Sequence, residues 1–148
     1  MTVVYSKGFY QTCEKSDGAV LAAADDLFTI TGGPILVTEF VGIVTTVIGG
    51  VANCQVKLVV TEPAGTVNLS TNVAIDSDAA GTSYTFTVAD PAVLTPTTAG
   101  ALLAIPRIAW LCPIGTINAT CSAARTGNIK WYIGYYMLSP YSKVSAAA

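Results

Sequence analysis

The sequence predicts an all-β fold: a single antiparallel β-sandwich or barrel, jelly-roll-like in type. Apolar and polar residues alternate in several short runs, which is the period of a half-buried strand. Glycine, proline, asparagine and aspartate separate these runs, as turn residues do between strands. No long stretch carries the period of an amphipathic helix, and no linker divides the 148 residues, so we expect one domain.

The predicted domain has three parts. Residues 1–26 are broken at Ser16-Asp17-Gly18 and hold no steady period, so we expect an N-terminal arm or a first edge element there. Residues 27–138 form the predicted β core. Residues 139–148, rich in serine and alanine, are predicted as an extended C-terminal tail.

In the first half of the core, alternation and glycine define the elements. Leu27–Thr31 is a short strand, and the glycines and proline of 32–34 form the turn after it. Ile35–Ile48, rich in Val, Ile and Thr, is a long strand. Gly49-Gly50 predicts a two-residue hairpin turn, since glycine readily adopts positive φ, and Val51–Thr61 returns as the neighbouring strand.

The second half of the core alternates in the same way between turns. Its predicted strands are Thr66–Ile75, Ser83–Val88, Ala101–Cys112, Thr116–Ala123 and Ile129–Leu138. Residues 89–100 contain Pro91 and Pro96, so this segment is predicted as a surface loop or a short helical turn rather than a central strand.

Charge is scarce in this chain. Only 11% of the residues are charged, against about 25% in an average domain, and the net charge is −2. Without a basic patch we expect no nucleic-acid partner. The most apolar run, Ile35–Val51, contains Glu39 and is rich in β-branched residues, which favours a strand over a membrane-spanning helix, so we expect no membrane partner. A surface so poor in charge predicts that other subunits cover it, hence a homo-oligomer.

The residues of a typical active site are missing. The sequence contains no histidine, which removes the commonest general base and metal ligand. It also lacks the Gly-x-Ser-x-Gly, Ser-x-x-Lys and phosphate-loop motifs. Asp76 and Asp78 could form half of a calcium site, but a solvated loop explains them; a partner such as Lys57 explains Glu39 in its apolar strand. We therefore expect no enzymatic activity, no catalytic or metal-binding residue and no cofactor.

Four cysteines allow disulfide bonds or free thiols. The N-terminus has no charged segment followed by an apolar one, so we expect assembly in a cytoplasm, where thiols stay reduced. Free, buried thiols are therefore the favoured state. The one pairing we consider is Cys112 with Cys121, across a predicted hairpin.

Aromatic residues concentrate in the last predicted strand. Trp131 and Tyr135 share one face of this strand, and Tyr132 and Tyr136 share the other. One face must belong to the core, and the second is either a subunit interface or buried within the same sandwich. The candidate subunit or capsid interface residues are Trp131, Tyr132, Tyr135, Tyr136, Phe9, Tyr10 and Tyr141.

Four segments carry a resemblance to a known family. They are Thr31–Glu39 (TGGPILVTE), Val41–Thr46 (VGIVTT), Ala52–Leu58 (ANCQVKL) and Gly127–Ile133 (GNIKWYI), with a short Ser/Ala tail at the end of the chain. They resemble head proteins of tailed bacteriophages, in particular capsid decoration (cement) proteins. The resemblance implies a β-rich oligomer, often a trimer, on the outside of an icosahedral shell, where it bridges subunits of the major capsid protein.

The expected function is therefore structural. We expect a non-enzymatic virion protein on the capsid exterior that stabilises joints between major capsid protein subunits, as a trimer or, alternatively, a dimer. The arm and the tail are the expected means of reaching neighbours. Two other functions stay open: a phage tail or head-fibre component, and a carbohydrate-binding or adhesin-like β-sandwich that stacks sugars on Tyr132 or Tyr136.

Overall fold

The computed structural model describes residues 10–16, 20–21, 24–89, 91–92, 94–98 and 107–148. Within these residues, thirteen strands form two antiparallel sheets that pack face to face. The predicted all-β fold is confirmed, and the architecture is a sandwich rather than a closed barrel. Phe9, one of the candidate interface residues, lies outside the described residues.

Each sheet has a path of five strands with shorter strands beside it. The first sheet contains, in spatial order, β1 (Tyr10–Ser16), β12 (Arg125–Met137), β4 (Ile35–Gly49), β8 (Ser83–Phe86) and β9 (Leu94–Thr97), with β2 (Val20–Leu21) beside β12 and β10 (Trp110–Cys112) beside β4. The second sheet contains β13 (Lys143–Ala146), β3 (Ala24–Thr31), β11 (Gly115–Cys121), β5 (Val51–Val60) and β6 (Gly65–Asn68), with β7 (Val73–Asp76) beside β5.

The strand order is that of a jelly roll. The order β1-β12-β4-β8 in one sheet faces the order β3-β11-β5-β7 in the other. When these eight strands are renumbered 1 to 8 along the chain, the first sheet has the order 1-8-3-6 and the second has the order 2-7-4-5. This is the double Greek key of jelly-roll domains. The chain therefore crosses from one sheet to the other at most of its connections.

A cluster of aromatic rings joins the two sheets. Phe40, at the centre of β4, lies 5.9 Å from Phe28 of the second sheet, measured between ring centroids. The rings of Phe86, Trp110 and Trp131 lie 5.4, 5.7 and 5.5 Å from the same phenylalanine. Offset and edge-on aromatic pairs at these distances add to the stabilisation that burial provides. Phe40 is therefore the hub of the core.

The hairpin predicted at Gly49-Gly50 is wrong. The strands on either side of it, β4 and β5, belong to different sheets. Gly50 has a φ of +95°, so the two glycines do form a tight corner, but the corner carries the chain across the core. Two strands that face each other across a core show the same alternation as two strands side by side, because each buries only one face.

The tail predicted over 139–148 is also wrong. This segment contains β13, which pairs with β3, and Val144 at its centre is buried. The backbone N–H of Ala147 donates a hydrogen bond of 3.0 Å to the carbonyl of Leu27. Short strands at a chain end carry few apolar residues, so composition alone concealed this one. At the other end of the chain, β1 pairs with β12 over its full length, as the predicted first edge element would.

Two further segments differ from the prediction. The single strand expected over 66–75 is two short strands, β6 and β7, which pair with opposite ends of β5. The segment expected to be a loop or helical turn contains β9, with Pro96 in it. Because β9 is an edge strand, proline's missing N–H donor is tolerated there.

Candidate functional site

A groove crosses the outer face of the first sheet. It encloses a cavity of about 450 Å³, and we call it the tyrosine groove, defined by Tyr10, Glu39, Tyr132 and Gly134. Three neighbouring strands supply these residues: β1, β4 and β12. Their outward-pointing side chains alternate with the core residues of the same strands, so the register of the sheet determines which of them meet.

Glycine forms part of the floor of this groove. Gly134 lies opposite Thr12 on β1 and Glu39 on β4. A Cβ atom at position 134 would lie 2.3 Å from the Tyr10 hydroxyl oxygen and 2.4 Å from Glu39 Oε2. The absence of a side chain at Gly134 therefore lets Tyr10 and Glu39 meet across the strand between them.

Glu39 is held by three neighbours. The Tyr10 hydroxyl donates a 2.8 Å hydrogen bond to Glu39 Oε2, and Thr38 Oγ1 donates one of 2.6 Å to the same oxygen. Arg107 Nε lies 3.8 Å from Oε1. Desolvation raises the pKa of Tyr10, and its hydrogen bond to Glu39 raises it further, so Tyr10 remains a donor. The expected partner Lys57 is wrong, because it lies on β5 in the other sheet.

A second ion pair lies at the other end of the groove. Lys130 Nζ is 3.0 Å from Glu14 Oε1, across the β1–β12 pair. The same ammonium group lies 5.5 Å from the centroid of the Tyr132 ring, a cation–π distance. The hydrogen bond to Glu14 raises the pKa of Lys130. Each carboxylate at the groove thus has a basic partner, and the groove has no net charge.

The candidate interface aromatics divide between the core and the surface. Tyr10, Tyr132 and Tyr136 are exposed on the outer face of the first sheet, and the rings of Tyr10 and Tyr136 are 5.2 Å apart. Trp131 and Tyr135 are buried, so their assignment to an interface is wrong. Trp131 and Tyr135 both point into the core, because they share one face of β12, as predicted.

Tyr141 lies outside the groove. It is in the connection between β12 and β13, and 79% of its surface is exposed, the largest exposed fraction of the large hydrophobic residues in the described part of the chain. It is therefore a suitable reference tyrosine for experiments on the groove.

A second concave surface carries several exposed apolar side chains. It encloses about 400 Å³ beside β6 and β10, and we call it the apolar groove, defined by Val67, Val88, Ile108 and Leu111. Val67, Val88 and Leu111 are 52%, 75% and 68% exposed, whereas Ile108 is buried. Exposed apolar side chains gathered around a depression are typical of an interaction surface.

The outer face of the second sheet is rich in hydroxyl and amide groups. Thr120 Oγ1 donates a 2.7 Å hydrogen bond to Asn118 Oδ1, and Asn118 Nδ2 donates one of 2.8 Å to Asp26 Oδ1. Gln55 Nε2 donates to the carbonyl of Ser70 at 2.7 Å. Hydroxyl and amide groups thus take the place that Lys and Glu occupy on most protein surfaces.

The cysteines are paired differently from the expectation. Cys54 and Cys121 form a disulfide with their Cα atoms 4.1 Å apart, so both the favoured all-thiol state and the Cys112–Cys121 pair are wrong. Cys121 lies directly opposite Cys54 in the β5–β11 register, whereas Cys112 lies on β10 in the other sheet. Cys13 and Cys112 are free thiols, and burial raises the pKa of Cys112 to about 12.

The loop that contains Asp76 and Asp78 has a structural role. Asp78 Oδ2 accepts a hydrogen bond from the hydroxyl of the buried Tyr84, whose pKa is raised by desolvation and by this bond. In the described ranges, no three His, Cys, Asp or Glu side chains come together as metal ligands would. Nor do these ranges contain a helix with the length and hydropathy needed to cross a bilayer.

Comparisons with family models, with curated proteins and with solved structures find no match to this chain.

Proposed function

We propose that this protein is a non-enzymatic bacteriophage structural protein, a decoration protein that binds the outer capsid surface and stabilises joints between major capsid protein subunits. The apolar groove is the observation that carries the proposal, because its exposed valine and leucine side chains suit contact with a protein partner. The resemblance of the four sequence segments supports it. Jelly rolls are also common in viral capsid domains, which is support by analogy of fold alone.

The exposed side chains of the apolar groove give the size of one contact. The apolar surface exposed here equals that of about two whole side chains, summed over Val67, Val88 and Leu111. Full burial of such a side chain contributes about 2 kcal/mol, so the three contribute about 4 kcal/mol. Association itself costs about 4–15 kcal/mol, so one groove alone does not hold the protein on a shell.

A homo-oligomer overcomes this deficit. When two or three copies are joined, the later contacts form at a high effective concentration, and the overall affinity rises without any new type of contact. We therefore propose an oligomer, a trimer in preference to a dimer, whose copies dock through their apolar grooves. The hydroxyl-rich face of the second sheet is suited to lie against neighbouring subunits, since it has few charges to desolvate.

The proposed location is the capsid exterior, after assembly in the host cytoplasm. Cytosolic reductants would keep Cys54 and Cys121 as thiols during assembly, and the disulfide would form after the particle is released. This order places the covalent cross-link in the mature particle, which must survive outside the cell.

Heads of the phage that encodes this chain provide the test. The purified chain should first be measured by light scattering coupled to size exclusion, where we expect an oligomer that persists on dilution. Heads purified without the protein should then take it up to a fixed copy number, measured by gel densitometry after pelleting.

Two variants make the test specific. Changing both Val88 and Leu111 to serine should weaken binding to the heads at least about tenfold, the equivalent of 1.4 kcal/mol, seen as a higher protein concentration at half-maximal uptake. The matched control is Val47→Ser, which alters an exposed valine on the first sheet that lines neither groove. Equal uptake of both variants, or no uptake of the wild-type chain, would contradict the proposal.

A further inference from the structure

We infer that the tyrosine groove is a binding site for a neutral saccharide. Arg107 lies between this site and the apolar groove used in the shell proposal, but the two grooves have different lining tyrosines, valines and leucines, and the inference does not depend on that proposal. It rests on the shape of the groove, its hydrogen-bonding groups and its charge balance.

The shape suits a small ring. The cavity of about 450 Å³ is within the range of small-ligand pockets, about 300–1,000 Å³. Tyr132 and Tyr10 both line this cavity, while the Tyr10 hydroxyl and the Glu39 carboxylate occupy the space above Gly134. The partly exposed tyrosine rings give the apolar C–H face of a sugar a surface to pack against.

The polar groups suit sugar hydroxyls. Glu39 Oε2 already accepts two hydrogen bonds, from Tyr10 and Thr38, and these hold the carboxylate in one orientation. Within the described residues, the neighbour of Glu39 Oε1 is Arg107 Nε at 3.8 Å, beyond normal hydrogen-bond distance. This oriented oxygen is therefore available to accept a hydrogen bond from a ligand hydroxyl.

The charge balance favours a neutral ligand over an ion. Tyrosines beside carboxylates would also suit a cation. However, Glu14 is paired with Lys130 and Glu39 lies beside Arg107, so neither carboxylate offers an uncompensated charge. Lys130 also supplies the cation–π contact of Tyr132. A polyol needs no net charge from the site, only an oriented acceptor and an aromatic surface.

Ligand-observed NMR on the full-length protein tests the inference. The probes are the methyl glycosides of glucose, galactose, mannose and N-acetylglucosamine, each titrated into the millimolar range. Tetramethylammonium chloride serves as the cationic probe. We expect saturation transfer to at least one glycoside, with a Kd on the order of 1 mM, and none to the cation.

Three variants locate the binding. Tyr132→Ala should weaken glycoside binding about tenfold or more, and Tyr141→Ala, the reference tyrosine, should leave it unchanged. Gly134→Ala should weaken binding because the added Cβ displaces the Tyr10 hydroxyl and the Glu39 carboxylate, with a far-ultraviolet circular dichroism spectrum like that of the wild type. The inference is overturned if no glycoside binds, if tetramethylammonium alone binds, or if Tyr132→Ala and Tyr141→Ala bind equally. Head uptake depends on Val88 and Leu111, so either proposal can fail without the other.

Discussion

The Cys54–Cys121 disulfide gives the sharpest prediction about stability. The bond joins residues 67 apart in sequence. In the chain-entropy model, closing a loop of this length removes about 14.6 cal/mol/K from the unfolded chain, or about 4.4 kcal/mol at 25 °C. Domains are usually stable by about 5–15 kcal/mol, so the bond accounts for a large part of the total. We expect the double variant Cys54→Ala, Cys121→Ala to be less stable by about 4 kcal/mol.

Urea unfolding measures this change. With a slope of about 2 kcal/mol per molar urea, the unfolding midpoint should fall by roughly 2 M in the double variant, and by a similar amount when the wild type is reduced. Cys13→Ala is the matched control, because Cys13 is a free thiol. This variant keeps the disulfide, so reductant should still lower its unfolding midpoint. Four titratable thiols in oxidised wild-type protein under denaturing conditions would show that the disulfide does not form. An unfolding midpoint that reductant leaves unchanged would show that the bond does not stabilise the fold.

Four other predictions follow from single features of the fold. Gly115→Ala places a Cβ 2.2 Å from the Val59 backbone oxygen and should destabilise by about 1–3 kcal/mol, whereas Gly134→Ala meets only movable side-chain ends and should change the unfolding free energy by less than 1 kcal/mol. Phe40→Ala removes the aromatic hub and should lose about 3–5 kcal/mol in the same urea assay. Deleting 139–148 removes β13 and should lower the Tm by at least about 5 °C in a calorimetric scan; an unchanged Tm would mean that this segment is a free tail after all. Burial raises the pKa of the Cys112 thiol from 9.0 to about 12, so the folded state keeps a proton that the unfolded state loses. The contribution of this thiol to the free energy of unfolding is complete below about pH 9. Above that pH it falls by up to about 1.4 kcal/mol per pH unit. In Cys112→Ala, the free energy of unfolding should therefore fall less steeply with pH.

Local alternation was enough to predict which residues share a strand face and which fold class the chain has. In β12 it assigned Trp131 and Tyr135 to one face and Tyr132 and Tyr136 to the other, and the structure has the first pair buried and the second exposed. This works because successive side chains of a strand point to opposite sides whatever the strand's neighbours are. What alternation could not say was which of the two faces met the core.

The candidate site needed information that no short segment contains. The tyrosine groove exists because β1, β12 and β4 lie side by side, which brings Tyr10 to Glu39 over Gly134. Nothing in the sequence around Gly134 marks it as special. Its role is to leave room for the two side chains that meet above it. Arg107, which lies 3.8 Å from Glu39, gave no signal in the sequence either.

Composition and alternation are enough to establish an all-β, charge-poor, histidine-free domain whose strands each bury one face. The packing of the two sheets was needed to show that β4 and β5 face each other across the core, that Cys121 bonds to Cys54, and that residues 143–146 form a strand. Alternation reflects only one strand and its solvent. The choice of neighbour depends on contacts between residues far apart in sequence, which form together when the two sheets pack.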